Sequence, residues 1–242
     1  MTRSTRRVDL TPGYLLHHWP WRETSRILEV LTREHGRLTL FARGVRGPGA
    51  KLAPVLQPFQ PLLVSWSGRG EAPALTGAER ARAHAPLPAR CLLSAYYLNE
   101  LIIRLTTRHD PLPELFDDYD RTLSALRSGA ALEPQLRIFE KRLLEALGYG
   151  VDLATEAHTG QPIEAQRYYH FRAGEGLVAT TREQAGALAG RSLLGLARES
   201  LPGARALEDA RRLLRAALSA CLEGRPLATR AVAKSVMRRA AR

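Results

Sequence analysis

The spacing of apolar side chains changes once along this chain, and that change constrains the fold more than any other feature. Before residue 80 the apolar positions fall in short runs, at 14–19, 26–32, 37–43, 61–67 and 72–79. Within 37–43, Leu38, Leu40 and Ala42 alternate with Thr39, Phe41 and Arg43, the period of a strand with one face turned inward. Glu34, His35 and Gly36 read as a hairpin loop with glycine in the left-handed position. From Pro88 the period becomes that of a helix. Leu92, Tyr96, Leu98, Leu101, Ile102 and Leu105 mark one; Leu115, Tyr119, Leu123 and Leu126 a second, after Pro111 and Pro113; Leu136, Phe139, Leu143, Leu144 and Leu147 a third, after Pro134 and stopped by Gly148. Residues 149–181 lose the helical period and read as a small irregular insert with two short strands. Helical pattern returns over 204–224, and a basic tail, 225–242, has Pro226 suited to a first helical turn.

Five short strands within about 80 residues close most economically into the five-stranded oligonucleotide-binding (OB) barrel, with the SH3-like barrel as the rival. The expected architecture is therefore α+β: an OB-fold β-barrel over 1–82, then a mainly α-helical domain over 83–242.

Charge narrows the partners. The chain has 36 Lys+Arg against 24 Asp+Glu, a formal net charge of +12. Residues 1–90 hold 14 basic and 6 acidic side chains, residues 91–222 hold 16 and 17, and residues 223–242 hold 6 and 1, so the excess lies at the two ends. A polyanion is the expected partner. The two cysteines, Cys91 and Cys221, sit far apart in helical patterns and support neither a disulfide framework nor a zinc site. The N-terminus lacks the apolar run of a secretion signal, and no stretch approaches the length of a membrane span, which points to a cytoplasmic protein.

The strand 37–43 runs into a loop with Gly44, Gly47, Pro48 and Gly49. It is not a phosphate-binding P-loop, since Ala50 precedes Lys51 and Leu52 follows it. It reads as a solvated hairpin loop or, more sharply, as a basic finger along a nucleic-acid backbone. Arg22, Arg26, Arg33, Arg37, Arg43, Arg46, Lys51 and Arg69 fall in or between the barrel strands with Trp19, Trp21, Phe41 and Trp66 among them, the mixture of cations and rings that single-strand binders use. Phe41 and Trp66 read equally well as barrel core or stacking platform. Catalysis has no visible seat. His17 and His18 are neighbours on a strand and should face opposite sides, and Asp117, Asp118 and Asp120 suit the positive start of a helix better than a cation site. No nucleophile elbow, zincin helix or paired Cys-x-x-Cys is present, so the chain does not read as an enzyme and calls for no cofactor.

Four stretches carry a family resemblance. "HHWPWRETSRILEVLTREHGRLTLFARGVRG" with "LQPFQPLLVSWSGRGE", and then "YYLNELIIRL" with "LRIFEKRLLEALGYGVDL", resemble the RecO family of bacterial DNA-repair and recombination mediators. The resemblance implies an N-terminal OB domain and a larger helical domain, and binding and annealing of single-stranded DNA, with binding of double-stranded DNA left open. It also implies partnership with RecR in loading RecA onto strands coated by single-stranded-DNA-binding protein, at the nucleoid. An RNA-binding OB-fold protein is the alternative. Many members hold zinc in the insert with four cysteines. Residues 149–181 contain none, only His158 and His170, so the chain resembles the zinc-free branch, and its zinc-ribbon-like insert is expected to fold metal-free on Val151, Leu153, Ile163 and Tyr169. Finally, Leu136 and Phe139 belong to the apolar stripe of the third helix with Arg137 and Lys141 beside it; Arg137 in "LRIF" matches a position that the resemblance associates with the acidic tail of single-stranded-DNA-binding protein, as an anion contact at the rim of an apolar slot, and otherwise reads as a surface charge paired with Glu133 or Glu140.

Overall fold

The computed structural model describes residues 7–47 and 49–240; the start of the basic N-terminus, Pro48 in the glycine-rich loop and the last two residues of the tail lie outside it. In chain order the elements are strands β1 (Arg7–Trp21), β2 (Ser25–Thr32), β3 (Gly36–Ala42), β4 (Pro61–Ser67) and β5 (Ala74–Arg80), and helices α1 (Ala89–Leu105), α2 (Pro113–Arg127) and α3 (Leu132–Ala146). Strands β6 (Tyr168–Arg172), β7 (Gly176–Thr180) and β8 (Leu188–Ala189) follow, then helices α4 (Gly190–Ala197), α5 (Gly203–Cys221) and α6 (Ala228–Ala240). They group into two compact units, one running to Ser128 and resuming at Leu227, the other spanning Gly129–Pro226. The change of period near residue 82 thus marks a change of element type, while packing groups α1, α2 and α6 with the strands.

In the first unit the five strands close into a barrel in the order β1-β2-β3-β5-β4. β4 pairs back onto β1, and β3 meets β5 in parallel at Phe41 and Ala74, a closure that belongs to the OB barrel and not to its SH3-like rival. β1 can serve two neighbours because it is long and irregular: its pairing with β2 shifts between Leu15 and His17. Beyond that shift the register is regular, with His17 opposite Glu29 and His18 opposite Leu28, and the two histidine rings lie nearly parallel with centroids 6.4 Å apart.

Leu15, Leu28, Val30, Leu38, Leu40, Leu62, Val64 and Trp66 fill the barrel, as the alternation requires. The loop after β3 contributes Val45 and Leu56 to the same core, so it is pinned at both ends. Its glycines Gly44, Gly47 and Gly49 all have positive φ, and a Cβ on any of them would meet nothing within 4 Å. They serve backbone shape at an open surface.

Helices cover part of the barrel's outer face. Tyr14 is buried there, its ring packing against Phe116 and edge-on to Tyr119 at 5.0 Å, and its hydroxyl donates to Asp120. Asn99 donates to the Leu16 carbonyl at 2.7 Å and accepts from the Tyr119 hydroxyl. Gly36 shows why this packing is tight: a Cβ there would lie 2.2 Å from the Asp110 carbonyl oxygen.

The second unit packs α3, α4 and α5 with a three-stranded sheet of order β7-β6-β8. β8 and α4 are short and fell between the helical patterns legible in sequence. In the insert, Leu153, Ile163, Tyr169 and Leu177 are buried, while Val151 is only half-buried. Glu156 organises the turn, accepting from the Thr159 hydroxyl, the Thr159 amide at 2.7 Å and the Ala179 amide at 3.2 Å. These bonds, the Thr159 hydroxyl foremost, hold its carboxyl down at about 2. A depressed folded pKa stabilises above the unfolded value, and the contribution is lost as pH falls toward the folded one. Glu156→Gln is therefore expected to loosen the insert at neutral pH and to flatten its acid dependence between about pH 4.5 and 2, read by amide exchange in β6 and β7. The same preparation is expected to contain no stoichiometric zinc by elemental analysis; one zinc per chain, lost together with the fold on chelation, would overturn the metal-free insert.

Candidate nucleic-acid interface

Where β1 turns into β2 and β3 runs into its loop, four of the expected cations gather. Arg22 and Arg43 line an open groove of about 710 Å³ with Glu23, Thr24, Ser25 and Phe41. Arg26 pairs in register with Ala42, next to Arg43. Arg46 is tied to the same turn by its amide, which donates to the Thr24 carbonyl at 3.0 Å, and by its guanidinium, which donates to the Arg22 carbonyl at 3.1 Å. The loop therefore folds back onto the β1–β2 turn and brings cations separated by 20 residues of sequence into one patch. Arg22 itself has φ of 52°, which turns the chain sharply here.

The two ambiguous rings differ in burial. Trp66 is 6% exposed and belongs to the barrel core, its ring edge-on to His35. Phe41 is half-buried in the groove wall with the Arg43 guanidinium 5.6 Å from its centroid. Trp21 is 46% exposed at the end of β1, paired with Ser25 of the groove, while Trp19 is half-buried. Lys51 is exposed on the turn that follows the loop, and Arg69 is exposed beside Trp66 and His35 in a second, smaller cleft.

Two of the eight expected cations are engaged elsewhere. Arg37 is buried: it pairs with Glu29 at 2.8 Å and donates to the Thr106 hydroxyl and carbonyl at 3.0 and 2.7 Å. Glu29 also receives Thr39 and Arg108. Burial pushes its carboxyl up, but the bonds from Arg108, Thr39 and Arg37 together hold it below the ordinary range. Arg33 grips Asp117 through two parallel hydrogen bonds of 3.0 and 2.9 Å. Strand alternation put Arg37 outside the barrel, where the end of α1 buries it, while Arg33, in the turn after β2, stays half-exposed and is held by α2. The three aspartates of α2 separate likewise: Asp117 serves Arg33, Asp118 serves Arg121, and Asp120 serves Arg82 and Tyr14. Among the described residues no group of three or more His, Cys, Asp or Glu is arranged to hold a metal ion.

The residues of the expected tail contact lie on α3. Leu136 and Phe139 are 6% and 0% exposed and lie inside the second unit. Arg137 is also buried and paired with Glu140 at 2.9 Å. Lys141 reaches Glu145 and Glu199 at 3.1 and 3.3 Å. One helical stripe supplied both the apolar residues and the packing surface that hides them.

With the barrel and its basic end described, comparison with known sequences decides the family. The model of the recombination protein O N-terminal region matches residues 8–83, and that of its C-terminal region matches residues 90–231. The chain belongs to the RecO family. The DNA repair protein RecO of Methylococcus capsulatus is 44% identical over 229 residues, covering 95% of this chain and 94% of the relative. That of Nitrosococcus oceani is 42% identical over 96% of this chain and 95% of its own length, and that of Alkalilimnicola ehrlichii 44% identical over 96% and 93%. The two family models part at the stretch between β5 and α1, where the hydrophobic period changes. In this member of the RecO family, no helix among the described residues is long and apolar enough to cross a membrane.

Proposed function

We propose that this protein is a DNA-repair and recombination mediator that binds single-stranded DNA on the basic end of its OB barrel and anneals complementary strands. The observation that carries the reading is the convergence of Arg22, Arg26, Arg43 and Arg46 around a groove walled by Phe41. Guanidinium groups neutralise phosphates and displace condensed counterions, and an exposed ring stacks on any base. Annealing then needs no catalytic group, since pairing supplies both the free energy and the specificity. Membership of the RecO family supports the wider role, with RecR as partner in loading RecA onto strands coated by single-stranded-DNA-binding protein.

Charge reversal at Arg43, Arg46 and Lys51 together is expected to weaken single-strand binding equally for all base sequences, because phosphate contacts carry no base information. Fluorescence anisotropy with homopolymer and mixed strands measures it. A changed sequence preference at unchanged affinity would overturn the proposal, and preference for RNA over DNA in competition would favour an RNA-binding role for the same barrel.

A further inference from the structure

We infer that the second unit carries a nucleic-acid site of its own, a basic pocket at α4 and the start of α5 that takes the phosphate backbone of a second strand; this rests on the reading that the barrel takes the first. The pocket encloses about 510 Å³ and is lined by Arg182, Arg191, Arg198 and Arg205, with the half-buried ring of Tyr168 and with Ser192. No acidic side chain lines it. Arg191 and Arg198 make no ion pair among the described residues, and Arg182 makes none although Glu183 follows it in the chain. Concentrating four guanidinium groups around one opening costs repulsion that an anion relieves.

The opening is held in shape from beneath. Asp209 is fully buried and accepts from the Ser192 hydroxyl at 2.8 Å, the Ala189 amide at 3.2 Å, Arg205 at 3.0 Å and Arg212 at 2.6 Å. One carboxylate thus anchors the first turn of α4 and one of the lining arginines, so the pocket is formed before any ligand arrives.

The lining chooses the occupant. An acidic peptide that ends in an apolar residue needs a slot with large aliphatic walls, but the apolar lining here is Ala189, Gly195, Pro202 and Ala206. Small walls, forked arginines and a ring suit a phosphodiester backbone with a base laid on Tyr168. A chain that holds two strands raises the local concentration of one for the other, which is what annealing requires.

The test counts strands. With oligonucleotides of about ten nucleotides, a length one barrel covers, the full chain is expected to bind two per molecule and R191E/R198E one. R43E/R46E/K51E is expected to keep the other. R191K/R198K should retain the second strand, since charge is preserved, and a thermal melt of each variant checks that these exposed positions leave the fold intact. Strand annealing should slow by about tenfold or more in R191E/R198E, the loss of a charged-cleft rate effect. One strand per molecule in the unaltered protein, lost only in the barrel variant, would overturn the second site and leave the barrel reading standing. Two strands in R191E/R198E would also overturn it, as would loss of an acidic peptide without loss of DNA. One strand that only the pocket variant loses would uphold the pocket and remove the barrel as the DNA site.

Discussion

Raising salt from about 50 to about 200 mM is expected to weaken binding of a short single strand to the barrel, isolated in the R191E/R198E variant, by roughly 100- to 400-fold. Each phosphate neutralised on a single strand contributes about −0.7 to the slope of log affinity against log salt. Arg22, Arg26, Arg43, Arg46 and Lys51 have no ion pair among the described residues, and five contacts give a slope near −3.5. Arg69 as a sixth brings it to about −4. All eight cations legible in the strands would give about −5.6, a loss of roughly 2,000-fold over the same range. The difference is Arg33 and Arg37, already bound to Asp117 and Glu29. Titrations at four or five salt concentrations separate the two slopes. The steeper value would mean that both ion pairs open on binding, and a flat profile would remove the basic end as the site.

Arg37→Ala is expected to destabilise the first unit by about 3–5 kcal/mol, because removing one partner of a buried pair leaves the other charge uncompensated. The side chains of Arg37 and Glu29 are only 9% and 3% exposed, so solvent does not screen the loss. Arg108 and Thr39 still reach Glu29, which favours the lower end of the range. The pH dependence should change as well. In the unaltered protein Glu29 has a depressed folded pKa, so its contribution is present above the ordinary carboxylate value and is lost as pH falls through the folded one. Without Arg37 burial is less opposed, the folded pKa moves up, and the rise of stability with pH through the acid range flattens. Urea unfolding at several pH values measures both effects. Strand affinity per folded molecule should stay unchanged; a variant of normal stability that has lost DNA binding would return Arg37 to the interface.

What could be read without coordinates was whatever depends on neighbours in the chain. Alternation at Leu38, Leu40 and Ala42 determined an inward face because a strand has no other way to hide three apolar residues, and the barrel core contains all three. Pro113 and Gly148 marked helix ends because one lacks an amide hydrogen and the other reaches positive φ freely. Family membership was legible for the same reason, in contiguous stretches. The site was legible only as a list of cations. Which of them stay unpaired was decided by tertiary packing: the end of α1 buries Arg37 and α2 pairs with Arg33, while the loop folds back and gathers Arg46 with Arg22, Arg26 and Arg43. On α3 the same amphipathic stripe that predicts a helix cannot say whether it meets a peptide or its own core, and packing buried Leu136, Arg137 and Phe139. The basic pocket of the second unit lay beyond reach for a further reason. Arg182 lies before β8, Arg191 and Arg198 at the two ends of α4 and Arg205 on α5, with Glu183 and Glu199 interspersed in the chain, so the local excess of charge is small and only folding gathers the cations.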